Sequence, residues 1–266
     1  MKNNKIMLFV LGIVASSIIG YVLLSKKSPP MQIKIKPVSI SRPIKQQIIN
    51  TPQIKYPINS LPSQFSNAEN TSLIKEQDFQ QWAIMNLGKL NVEKVLITEN
   101  FINRFVIAID NASAKIIPAN MSPIKLPPGK LVVKSSENNF EISEENYKRY
   151  DQYLALADAS DLNAIVLYYR KTYPLFQKAY NSQGEDGYFN DKLIEVIDLI
   201  LSTPEPKNPI KLYYSTSQYE YIDPKLESLP AIQKIIIRMG PQKEKKLKLY
   251  FKEFRHLLID QNSATK

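Results

Sequence analysis

The apolar residues of this chain fall into two patterns, one unbroken run near the start and a long region of helical spacing after it. Residues 6–24, IMLFVLGIVASSIIGYVLL, carry no charge, with Lys2 and Lys5 before them and Lys26 and Lys27 after. As an α-helix the run measures about 29 Å, the hydrocarbon thickness of a bilayer, so it predicts one transmembrane helix. The rival expectation is a cleaved signal peptide, cut behind the small residues Val14 and Ser16, which would leave the apolar residues 18–24 at the mature N-terminus. Gly12, Ser16 and Gly20 recur every four residues, the spacing through which two membrane helices approach closely as a homodimer.

Helical spacing begins near Glu76. Phe79, Trp82, Ala83 and Leu87 predict a helix ending at Gly88, and Val92, Val95 and Leu96 predict a short second one. Thr98 is placed to cap a third, reaching Asp110, with Phe101, Ile102, Phe105, Val106 and Ile109 on one face. Residues 131–134 and 140–142 predict two short strands, and 211–214 with 219–222 a second pair that can join them in a small sheet. Between the pairs, a tyrosine-rich helix from about Ser143 breaks at 158–161, and its successor is expected to kink or restart at Pro174. Asn190 or Asp191 caps the next helix. Its Leu193, Ile194, Val196, Ile197, Leu199, Ile200 and Leu201 leave little polar face and place it at the centre of the core. Asp223 and Pro224 start a helix that packs through Ile232, Ile235, Ile236 and Ile237 until Gly240 and Pro241 stop it. A last helix, 242–260, carries Leu247, Tyr250, Phe251, Phe254, Leu257 and Leu258 in one stripe.

The expected fold class is therefore mainly α (α+β): a multi-helix domain with a small antiparallel β element, preceded by one transmembrane helix and a Pro-rich linker. The divisions are a cytoplasmic leader at 1–5, the anchor at 6–24, the linker at 25–70 and the helical domain at 71–262. Seven prolines between Pro29 and Pro62, with no glycine and no sustained apolar period, make the linker stiff and unable to form a core of its own. The pattern at 31–35 would suit at most a short edge strand.

Charge changes the picture only once it is mapped. The net +10 is concentrated in residues 25–75, which hold eight Lys or Arg against the single Glu69, whereas the region from residue 76 onward is nearly balanced. That removes the argument for a nucleic-acid-binding domain and leaves a basic tether, suited to anionic surfaces or simply kept extended. The chain has no cysteine and a single histidine, His256, so thiol chemistry, thiolate metal sites and histidine-rich metal sites have no residues to work with. A glycine-rich phosphate loop is absent. No cofactor is expected.

Three blocks carry a resemblance. They are 101–111 (FINRFVIAIDN), 147–205 (YKRYDQYLALADASDLNAIVLYYRKTYPLFQKAY continuing through GYFNDKLIEVIDLILSTPE) and 219–255, with YEYIDPKLESL and KIIIRMGP. In this order they resemble the bacterial domain of unknown function 3014 family. The resemblance implies a single-pass envelope protein with one helical domain after an N-terminal anchor, and it implies no activity or functional residues. Residues 182–186 (SQGED) and Gln242 depart from the family's usual pattern.

The candidate chemistry is sparse. Charged residues inside apolar or aromatic helices need partners, and Arg149, Arg238, Arg104, Asp151 and Asp198 stand out as either a structural ion-pair network or an arginine-lined pocket for an anionic ligand. Asp186 with Asp191, or Asp158 with Asp161, could form an acid and base pair for glycan cleavage, and Glu185, Asp186, Asn190 and Asp191 a calcium group, although caps and turns use the same residue types. The function expected is a membrane-anchored envelope protein whose periplasmic domain is a non-enzymatic binding or scaffold module for a protein or cell-wall (peptidoglycan) partner. The alternative is a carboxylate-dependent enzyme acting on an envelope glycan. The localisation expected is the bacterial inner membrane, single-pass, with no nucleic acid as partner.

Overall fold

The structure, a computed structural model, describes residues 53–58, 78–114, 119–136, 139–216 and 218–260. Helices α1 (Asp78–Leu87), α2 (Lys89–Val95) and α3 (Phe101–Asp110) come first. Strands β1 (Val133–Ser136) and β2 (Asn139–Ile142) follow, and then α4 (Glu145–Lys148), α5 (Asp151–Asp158), α6 (Leu162–Asn181) and α7 (Phe189–Leu201). The chain ends with β3 (Lys211–Tyr214), β4 (Tyr219–Tyr221), α8 (Pro224–Glu227), α9 (Ala231–Arg238) and α10 (Pro241–Ile259).

The helices share one core. Apolar spacing on α3 buries Phe101, Ile102, Phe105, Val106 and Ile109 against α6, and α7 buries Leu193, Ile194, Val196, Ile197 and Ile200 beneath α10. Aromatic rings fill the centre: Phe105 meets Phe176 and Phe189 edge-on, and Phe79 stacks on Phe101. The expected centrality of α7 follows from this burial on nearly every side.

The four strands form one antiparallel sheet in the order β1-β2-β3-β4, with Phe140 opposite Leu212 and Leu212 opposite Tyr221. One face covers a second, smaller core of Ile142, Ile210, Leu212, Tyr221, Leu226 and Ile237. Helix α9 joins the two cores, since Ile232, Ile235 and Ile236 enter the helical cluster while Ile237 enters the sheet cluster.

Several expectations are corrected in detail. Thr98 does not cap α3: Asn100 precedes the helix in a left-handed conformation and makes no side-chain cap. Pro174 does not restart α6, which runs through it, because Tyr169, Thr172, Tyr173 and Phe176 around it are buried and hold the helix on the core.

The larger correction concerns the membrane. Among the described residues no helix is long and apolar enough to cross a membrane. The two that are long enough, α6 and α10, are amphipathic and charged: α6 carries Arg170, Lys171 and Lys178, and α10 carries a row of lysines. Residues 6–24, with Gly12, Ser16 and Gly20, lie outside the described residues, as does the strand candidate at 31–35. The transmembrane part of the fold class, the membrane-anchored envelope function, the inner-membrane and periplasmic localisation, and the membrane partner have no helix among the described residues to rest on. What stands is a mainly helical domain with a four-stranded antiparallel sheet.

The α9–α10 junction shows why RMGP has its sequence. Gly240 sits at φ 88°, and a Cβ there would lie 2.6 Å from the Tyr147 ring, while Pro241 opens α10 at a position that needs no N–H. Gly129 also has positive φ, 71°, but faces open space. Gly240→Ala therefore loses about 3 kcal/mol in chemical denaturation, from backbone strain plus overpacking, and Gly129→Ala about 1 kcal/mol from strain alone. Equal losses would contradict the packing of Tyr147 on Gly240.

Candidate functional site

The first residues of α7 are held by its neighbour. Helix N-termini leave backbone N–H groups without internal partners, and Tyr188 at the N-cap supplies none from its side chain. Two side chains of α6 do so instead. Gln177 Oε1 accepts from the Phe189 N–H at 2.9 Å and the Tyr173 hydroxyl accepts from the Asn190 N–H at 3.3 Å. Tyr173 in turn donates to Gln177 Oε1 at 2.7 Å, and Gln177 Nε2 donates to the Gly187 carbonyl at 3.0 Å.

This arrangement orients Asn190, which is fully buried. The Tyr169 hydroxyl donates to its Oδ1 at 3.1 Å, so its amide N–H points outward, where it meets the Tyr56 carbonyl at 2.8 Å. Asp191, in the first turn where the helix dipole favours a carboxylate, accepts the Lys55 N–H on Oδ2 at 2.9 Å and the Tyr56 N–H on Oδ1 at 2.8 Å. The Tyr188 hydroxyl accepts the Ile58 N–H at 2.8 Å. Four main-chain groups of segment 53–58, which bends at Lys55 and Tyr56, are thus gripped by three side chains, Tyr188, Asn190 and Asp191, at one helix start. Tyr56 and Ile58 pack on the helical core, and the Arg255 guanidinium lies over the Tyr56 ring, 5.9 Å from its centre. Asp198 fixes Arg255 through two bonds of 2.5 and 3.1 Å, and this hydrogen bonding raises the arginine's pKa.

The residues expected from sequence to hold a ligand are placed separately. Arg104 donates to the carbonyls of Glu99, Asn120 and Ser122, and Arg149 to those of Pro128 and Gly129 and to Asn146 Oδ1. Asn146, fully buried, donates to the Arg238 carbonyl, and the Arg238 guanidinium lies on the Tyr221 ring. Arg149 and Arg238 are therefore linked through Asn146. Arg104 shares no hydrogen-bond partner with them, Asp151 pairs with Lys243, and Asp198 pairs with Arg255. Of the five, only Asp198 borders the groove that takes the 53–58 segment.

Three of the four carboxylates considered for catalysis have structural partners. Asp158 pairs with Lys246, Asp161 caps α6 through the Asn163 N–H, and Asp191 holds the segment. Among the described residues no group of three or more His, Asp or Glu is placed to hold a metal ion. His256 is exposed and 3.8 Å from Asp260. An apolar cavity of about 40 Å³ among Phe79, Trp82, Phe105 and Phe254 has room for little more than a water molecule.

Sequence reasoning placed Asn190 and Asp191 correctly at a helix start but assigned them to capping or calcium, and it missed Tyr188, Gln177 and the docked segment. The available signal was the trio Tyr56-Pro57-Ile58, an aromatic and aliphatic pair inside an otherwise polar, basic tether.

Comparison with known proteins covers the domain from α3 onward. The family described as Protein of unknown function (DUF3014) matches residues 101–255, more than half of the chain, spanning α3 to the last turns of α10. No curated protein matches, and no solved structure matches.

Burial pushes the Tyr169 and Tyr173 phenols above their ordinary value of 10.0. Raised folded-state pKa values mean that these groups leave stability unchanged below pH 10, where neither state ionises, and lower it as the pH rises further and only the unfolded chain ionises. The urea midpoint should fall between pH 10 and 11, with a shallower fall in Tyr173→Phe. An equally steep fall in that variant would contradict the burial of this hydroxyl.

Proposed function

The chain belongs to the DUF3014 family, and on that premise we propose that its domain is a binding module that grips the backbone of a peptide segment, filled here in cis by residues 53–58. The observation that carries this is the geometry of Asp191: its two oxygens receive two successive main-chain N–H groups while Asn190 donates to the carbonyl that follows. Those contacts engage main-chain atoms that every segment has. Side-chain selectivity comes from the seats of Tyr56 and Ile58 and from the cation over the tyrosine ring.

The gripping groups are held by the domain's own side chains. Asn190 is oriented by Tyr169, α7 is capped by Gln177 and Tyr173, and Arg255 is held by Asp198, so the binding groups sacrifice little freedom on capture. Hydrogen bonds to a charged carboxylate contribute about 1.5–3 kcal/mol each, so Asp191 dominates the affinity.

The test uses the full-length chain with Lys55→Pro and Tyr56→Pro, which removes both N–H donors to Asp191 and the tyrosine ring from the cis segment, titrated with a peptide of residues 51–60, TPQIKYPINS. It should bind saturably, and Asp191→Asn should weaken it by at least about tenfold, because an amide offers one acceptor where the carboxylate offers two. A folded chain that takes up no peptide, or binding indifferent to Asp191, contradicts the proposal.

A further inference from the structure

The groove does not stop where the docked segment stops. Helix α10 presents Lys245, Lys248, Leu249, Lys252 and Arg255 at spacings of three and four, which places them in one stripe along its surface. With Leu201 and Glu205 they line an open depression of about 560 Å³. Arg255 belongs to both features, lying over Tyr56 at one end and lining the depression at the other.

The charge there is only partly compensated. Lys248 pairs with Glu205 and Glu244, and Arg255 with Asp198. Lys245 and Lys252 are exposed and form no ion pair with the described residues, though Lys245 lies close enough to Glu205 to lower its pKa, after the larger effect of Lys248. Leu249 sits between them, 62% exposed. A stripe of cations with an apolar residue in the middle suits an acidic chain that also carries an aliphatic side chain.

The direction of the segment tells which part of an occupant would meet this stripe. Ile58 is held at Tyr188, just before α7, whereas Tyr56 and Lys55 are held at Asp191 within its first turn. From Ile58 to Tyr56 the contacts step from Tyr188 to Asp191 and on to Arg255, so this part of the segment advances towards the far end of α7. Helix α10 lies antiparallel to α7, with Arg255 opposite Asp198 and Lys248 opposite Glu205, just past the end of α7. An occupant that keeps this direction past Lys55 carries its N-terminal flank from Arg255 onto the basic stripe.

The chain's own segment does not complement it. No Asp or Glu occurs between residues 25 and 68, and Lys55 itself is basic. Resting on the binding reading above, we propose that residues 53–58 are a cis placeholder and that the site's partner is an acidic peptide segment of another protein, with an aromatic-Pro-aliphatic core preceded by several carboxylates, which displaces them. The core occupies the Asn190 and Asp191 grip, and the carboxylates lie against Lys252, Lys248 and Lys245. Competition with the tethered segment makes capture selective, because only a ligand that adds the acidic flank outbids a segment present at high local concentration.

The experiment compares three labelled peptides by fluorescence anisotropy on the full-length Lys55→Pro, Tyr56→Pro chain at low salt. They are TPQIKYPINS, EEEIKYPINS and an acidic peptide of scrambled core, EEENIPKSYI. The second should bind about tenfold more tightly than the first, lose that gain in 0.5 M salt, and lose it equally when Lys245→Glu and Lys252→Glu are added, while the first changes by less than about twofold. If the first two bind alike, or the lysine substitutions leave the second unchanged, the acidic-partner inference falls and the binding reading survives. If the scrambled peptide binds as tightly as the second, the stripe is a plain polyanion surface and the inference also falls. If neither ordered peptide binds the folded chain, both proposals fall.

Discussion

Gln177 and Tyr173 stand in for the N-cap that α7 lacks, and the geometry of the docking groove depends on that exchange between helices. A buried N–H left without a partner costs about 1–3 kcal/mol, so a helix beginning inside a core must be met by acceptors from elsewhere. Because α6 supplies them, Asn190 and Asp191 are released from capping their own helix. Asn190 is instead turned by Tyr169, and Asp191 faces outward with both oxygens available. The same side chains thus close the core on one side and open a recognition surface on the other.

Elsewhere the polar groups are committed to architecture. Arg104 and Arg149 satisfy carbonyls of irregular segments that make no regular ladder, which is how a domain with long connections keeps its backbone groups paired. Asn146 joins the sheet layer to the end of α9 by accepting from the Val132 N–H and donating to the Arg238 carbonyl. Gly240 then lets Tyr147 pack on the α9–α10 junction, which sets the course of α10 and with it the positions of Arg255 and the lysine stripe.

The helical elements were legible because apolar periodicity is a local property: α1, α3, α7 and α10 follow directly from residues three and four apart. The strands were legible from alternation and intervening turns, although the sheet's order depends on the pairing of Phe140 with Leu212, more than seventy residues apart in sequence. The partners of isolated charges were not legible. Sequence alone suggested that buried arginines seek carboxylates, whereas Arg104 and Arg149 found backbone carbonyls, which have no signature in a sequence. The docked segment was hidden for a related reason: Tyr56 and Ile58 show no period, and the groups that hold 53–58 are main-chain atoms. Of the five residues named as ligand-holding candidates, only Asp198 borders the groove, through Arg255, fifty-seven positions away; Asn190 and Asp191 reached it in a role other than the capping or calcium binding expected of them.

The central claim is that residues 55–58 are bound to the start of α7 through their backbone, and amide hydrogen exchange of the unmodified full-length chain tests it most directly. If the Lys55, Tyr56 and Ile58 amides donate to Asp191 and Tyr188, they should exchange more slowly than an unstructured chain of the same sequence, whereas the exposed Ile54 amide, for which the structure shows no acceptor among the described residues, should not. Exchange at the unstructured rate throughout 53–58 would contradict the docking and, with it, the binding site built upon it.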